Sequence, residues 1–82
     1  MQETETVIRE ILVVINDRLN AVDANADLYA DFGLASVHAI TLLMDLEERF
    51  GIHVRDEDFI EARSISQLTL MINALLEQSG NA

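Results

Sequence analysis

Ser36 is the most suggestive residue of this chain. It lies in Asp31-Phe-Gly-Leu-Ala-Ser-Val-His38, where a glycine-containing turn delivers a small hydroxyl to the first turn of an amphipathic helix. At a helix start the first backbone N–H groups lack intrahelical partners and the dipole is positive. An exposed hydroxyl there is well placed for attachment through a phosphate. The bland alternative is an N-cap, whose hydroxyl satisfies one orphan N–H and contributes about 1 kcal/mol. Ser64 fits that alternative fully, because Ser64-Ile-Ser-Gln67 is a capping box in which the serine caps and Gln67 returns the hydrogen bond. Ser36 fits it less well, since position 39 is Ala and returns no bond.

Other reactive groupings are weak. His38 and His53 sit on separate elements with no ligand-like spacing to each other or to a third donor, so no metal site is expected. The cluster Asp56-Glu-Asp58 lacks the spacing and glycine of a calcium loop and reads as a solvated cap. No nucleophile, base and orienting group form a set, so no catalytic residue is assigned and a hydrolase or metal enzyme is disfavoured.

Four helical segments position Ser36. Residues 3–19 carry Val7, Ile8, Ile11, Leu12, Ile15 and Leu19 at the spacing of one apolar helix face, with the stop placed near Leu19 or Asn20. Glu3 and Glu5 fall in or beside the first turn, where the dipole favours negative charge. Residues 20–35 show no sustained period and are rich in turn formers. Loops of this length are uncommon in compact domains and tend to be functional or disordered. Here Leu28, Tyr29, Phe32 and Leu34 are spaced as anchors, which predicts an ordered loop crossing a bundle. The second helix spans 36–50, with Val37, Ile40, Leu42, Leu43, Leu46 and Phe50 expected to include a continuous core face and Gly51 as its left-handed cap. Ile52, His53 and Val54 read as extended or loop. Asp56 is expected to cap a short helix over 57–62 with Phe59 and Ile60 facing inward. The last helix, 65–77, presents Ile65, Leu68, Met71, Ile72, Leu75 and Leu76, and Ser79-Gly-Asn-Ala82 is expected to fray. The fold class is therefore all-α: a four-helix bundle with three longer helices and a short third.

Composition agrees. Eighty-two residues form one domain over 1–82, with stability of about 5 kcal/mol expected for a chain this short. Only four residues are aromatic, Tyr29, Phe32, Phe50 and Phe59, so aliphatic side chains must build the core. There is no cysteine, which excludes disulfides and thiolate metal sites. The polar, acidic first ten residues do not resemble a secretory signal, and no apolar run approaches the ~20 residues of a membrane span. A cytoplasmic protein that does not insert in membranes is expected. Fifteen acidic residues oppose five basic ones, all arginine, for a formal net charge of −10. Such a surface repels nucleic acid and attracts basic protein surfaces.

The stretch Asp27-Leu-Tyr-Ala-Asp-Phe-Gly-Leu-Ala-Ser36, followed by Leu42-Leu-Met-Asp-Leu-Glu-Glu-Arg-Phe-Gly-Ile52, resembles acyl carrier proteins and related peptidyl or aminoacyl carrier domains. Length, acidity, helix order and loop length extend the resemblance over nearly the whole chain. It implies a four-helix bundle of acyl-carrier type in which Ser36 is linked through a phosphodiester to 4′-phosphopantetheine. The thiol of that arm then holds an acyl or aminoacyl group as a thioester. The implied partners are a phosphopantetheinyl transferase, an acyl-loading ligase or synthetase, and acyl-transferring enzymes with basic docking surfaces. A monomer is expected, and the carrier itself is no enzyme. In these families aspartate usually precedes the modified serine and helps engage the transferase; here that residue is Ala35. Together with His38 and Thr41 on the first turn, Ala35 points to a specialised pathway rather than housekeeping fatty-acid synthesis. The cargo stays open between fatty acyl, polyketide, amino acid and modified acid.

The expected docking face is Val37, Thr41, Met44, Asp45, Glu47 and Glu48, with adaptable apolar contact surrounded by carboxylates. The rival reading is an acidic helical adaptor that binds a basic partner and carries nothing covalently. Ala35 favours it, and Gly33 with Ser36 at a helix start opposes it.

Overall fold

The computed structural model describes residues 2–80, with side chains described over 4–78. Four α-helices appear in the order α1 (Gln2–Ile15), α2 (Ser36–Phe50), α3 (Asp56–Glu61) and α4 (Ile65–Gly80), with a 3-10 turn at Asp17–Ala21 and no strand among the described residues. This is the expected all-α bundle of three longer helices and one short one.

The core is aliphatic. Ile8, Ile11 and Leu12 of α1 meet Leu42 and Leu46 of α2 and Ile65, Leu68 and Ile72 of α4, all buried. Phe59 is the only aromatic among the buried residues. Burying a side chain of this size stabilises by roughly 1.5–3 kcal/mol. A polar contact crosses the α1–α4 seam: the buried Thr4 hydroxyl donates to Asn73 Oδ1 at 2.6 Å.

Several local expectations are corrected. α1 ends at Ile15 rather than near Leu19, because Asn16 turns extended (φ −157°, ψ 115°) and its side chain accepts from the Arg18 N–H, starting the 3-10 turn. Leu19 is still buried, but from that turn. α3 spans 56–61, not 57–62, and Asp56 is not its cap: Arg55 occupies the N-cap position with no side-chain hydrogen bond. Asp56, Glu57 and Asp58 instead fill the first turn, where the dipole favours them. α4 continues through Ser79 and Gly80, which were expected to fray; Asn81 and Ala82 lie outside the described residues. Ile40 and Ile60, read as core, are exposed at 60% and 66%, and the anchor Phe32 is also exposed; Val37, named with the same apolar stripe but also expected on the docking face, is exposed at 65%. The contact faces of α2 and α3 are narrower than their apolar stripes.

The long loop is ordered by main-chain hydrogen bonds. Ser66 N–H donates to Ala24 O and Leu28 N–H donates to Arg63 O, both at 2.8 Å, stitching the loop to the start of α4. From the other side, Arg9 Nη1 reaches Val22 O at 2.9 Å. Val22 and Leu28 are buried as anchors.

Candidate functional site

The chain reaches Ser36 through a single tight turn. Asp27 Oδ1 accepts from the N–H groups of Tyr29 and Ala30, at 2.8 and 2.9 Å, and so caps the turn over residues 28–32. Gly33 closes it at φ 65°, with its N–H on Tyr29 O and the Leu34 N–H on Leu28 O. No atom lies within 4 Å of where a Cβ would stand on Gly33, so glycine is required for its backbone angle and not for space.

Ala35 then takes the N-cap position in extended conformation with no side-chain cap, and Ser36 is the first residue of α2. The first helical bond runs from Ala39 N–H to Ala35 O, leaving the N–H groups of Ser36, Val37 and His38 without intrahelical partners. No acidic residue occupies this first turn. The Ser36 side chain is exposed and its hydroxyl has no hydrogen-bond partner among the described residues. An exposed hydroxyl beside unpaired donors at a positive helix end is compatible with a phosphodiester. Ser64 is the opposite case. It is 6% exposed; its Oγ accepts from Gln67 N–H at 3.2 Å, and Gln67 Oε1 accepts from Arg63 N–H at 2.8 Å. The capping box is present, with the return bond on Arg63, one residue earlier than the simple pattern.

Beside Ser36 opens a cleft of about 370 Å3 between α2 and α3. Ser36 lines it together with Tyr29, Ile40, Leu43, Phe59 and Ile60, and its charged lining residues are Arg63 and Asp56. Arg63 is held in place: Nε donates to Asp27 Oδ2 at 2.7 Å, and the guanidinium lies 4.7 Å from the Tyr29 ring centroid. That hydrogen bond, with those from Ala30 and Tyr29, lowers the Asp27 carboxyl to about 2. Burial pushes the Tyr29 phenol up, and the bond to Asp27 raises Arg63 above its ordinary value.

The expected docking residues divide. Val37 and Met44 are exposed at 65% and 62%, and with exposed Thr41 and Glu48 they follow one stripe at helical spacing. Ile40, which sequence reasoning assigned to the core, widens this stripe. Thr41 Oγ1 donates to Val37 O, Asp45 is half-buried, and Glu47 Oε2 accepts from Val54 N–H at 2.9 Å, with His53 Nδ1 3.4 Å away. Glu47 therefore ties the end of α2 to the following loop. His38 and His53 are exposed, and no cluster that could hold a metal ion occurs among the described residues. No described helix is long and apolar enough to cross a membrane.

Comparison with known proteins points the same way. Residues 5–72 match the family model described as a phosphopantetheine attachment site. An acyl carrier protein of Helicobacter acinonychis (strain Sheeba) is 38% identical over 55 residues, covering 62% of this chain and 70% of that protein. One from Rickettsia bellii (strain RML369-C) is 24% identical over 81 residues, covering 94% of this chain and 91% of its own. With the helix order and the matched span in agreement, the chain belongs to the acyl carrier protein family, whose phosphopantetheine-binding domain carries covalently attached 4′-phosphopantetheine.

Proposed function

We propose that Ser36 is the residue that bears the arm, and that the chain shuttles an acyl or aminoacyl group, held as a thioester, between partner enzymes without catalysing a reaction itself. The observation that carries this is the exposed Ser36 hydroxyl, without a hydrogen-bond partner among the described residues, at the first position of α2. When bound, the arm supplies the thiol. The protein's own residues hold its origin still, leave donors free at the helix start and offer an apolar-lined cleft. Tethering raises the effective concentration of a cargo at a docked active site, so a carrier needs a docking face more than a catalytic set.

That face is the stripe Val37, Thr41, Met44 and Glu48, flanked by Asp45 and Glu47. Basic surfaces on the transferase, the loading ligase and the acyl-transferring enzymes complement it. Ala35, where aspartate is usual, selects among transferases.

The test is intact-mass measurement after incubation with coenzyme A and broad-specificity phosphopantetheinyl transferases. The expected result is a mass gain of one phosphopantetheine, abolished in Ser36→Ala. A chain left unmodified by every transferase, and in its native cell, is instead the acidic adaptor.

A further inference from the structure

α3 stands between two clefts. Phe59 and Ile60 line the one beside Ser36, whereas Asp58 and Glu61 line a second groove, of about 390 Å3, against α4. The two share no lining residue. The α4 side of the second groove is apolar: Leu70 is 71% exposed, Ala74 is exposed one turn later, and Met71 and Leu75 are half-buried. A single exposed leucine is ordinary. One continued by three apolar neighbours along a groove is a patch that a partner would dry.

The charge of this groove has one sign. Its charged lining residues are Asp58 and Glu61, and none is basic. Arg55 lies 3.6 Å from Asp58 but also pairs with Glu57 at 3.0 Å, so one cation serves two carboxylates. Glu61 has no ion pair among the described residues. A second copy of the chain, with the same formal net charge of −10, is repelled, and a basic partner is drawn in. From Gln67 to Gln78 the lining follows α4 for about 16 Å, the length of three helical turns. No strand edge is present among the described residues to pair with an extended segment, so the segment that fits satisfies its own main chain, as a helix does.

We infer that the α3–α4 groove is a second docking surface, which takes a basic amphipathic helix of a partner protein, with apolar anchors on Leu70 and Ala74 and cationic side chains toward Asp58 and Glu61. A partner held here leaves the α2 stripe and Ser36 uncovered. The surface does not depend on which residue bears the arm.

The experiment titrates the full chain with a synthetic peptide of about 14 residues, long enough to form a helix, with leucines at i, i+3, i+4 and i+7 and lysines elsewhere. Binding is followed through the amide and methyl resonances of the chain. The expected result is a saturable shift at Met71, Ala74 and Leu75, and no such shift with a matched peptide carrying glutamate in place of lysine. Leu70→Ser, an exposed position whose change leaves the other amide resonances in place, should weaken the affinity read at Ala74 about tenfold. Glu61→Lys should weaken it about two- to fivefold at low salt, and less as salt rises. Met44→Ser, on α2, should leave it unchanged. Shifts confined to the α2 stripe overturn the inference, as does an affinity indifferent to Leu70→Ser. Equal shifts with the glutamate peptide remove the preference for a basic partner. Groove resonances that move with the concentration of the chain alone make a second copy the occupant, and overturn it too.

Discussion

Two serines stand at or before the start of a helix and do opposite things. Ser64 is buried, caps α4 and is enclosed by Gln67. Ser36 is exposed and lies one position inside α2, behind an alanine that caps nothing. The lesson is that a hydroxyl becomes available for chemistry when the fold gives it no structural work. Helix position alone does not separate the two residues; hydrogen-bond accounting does.

Exchanging the two phenotypes is the strongest way to break this contrast. Ser36→Ala should remove all modification while changing unfolding free energy by no more than about 0.5 kcal/mol. Mass and urea unfolding measured together decide it, and a large loss of stability would mean that Ser36 is structural after all. Next in size is the turn that presents Ser36. Gly33→Ala meets no neighbour but forces a side chain into φ 65°, so a loss of about 1–2 kcal/mol is expected from backbone strain alone. Ser64→Ala should cost about 1 kcal/mol, the usual value of a lost cap, with modification intact.

Smaller effects sharpen the contrast on α2 itself. Glu48→Lys should slow association with a basic partner by about two- to fivefold at low salt, with the effect shrinking as salt rises, and leave stability alone. Glu47→Lys should also destabilise, because it removes the acceptor for Val54 N–H; equal stability for the two variants would contradict that geometry. The smallest effect is at acid pH. The Asp27 carboxyl sits near about 2 in the folded chain against 3.8 unfolded. Between those values the unfolded state binds more protons, so the Asp27–Arg63 contribution is complete above about pH 4 and fades as pH falls through about 2. Urea midpoints taken from pH 5 to pH 2 should fall more steeply for the natural chain than for Asp27→Asn, and parallel slopes would show the pair to be inert.

Much of the fold was legible because its signals are local. α2 and its Gly51 cap coincide with the expected 36–50, where periodicity and a left-handed terminator agree. The box at Ser64 was equally plain. The end of α1 was not, since Leu19 follows Ile15 by four and continues the helical period straight across the break at Asn16. Ile40 and Ile60 misled for another reason: spacing shows that residues share an apolar face, while only the packed structure shows whether anything covers it. The cleft was the least legible part of the site. Arg63 is 36 residues from Asp27 in sequence, and nothing local to either residue announces the pair.

The loop that leads to Ser36 is fastened to α4 through the main-chain groups of Ala24, Leu28, Arg63 and Ser66. Such fastenings are indifferent to which side chains the exposed positions bear. Exposed positions such as Ala30 can therefore change their side chains without loosening the turn that presents Ser36.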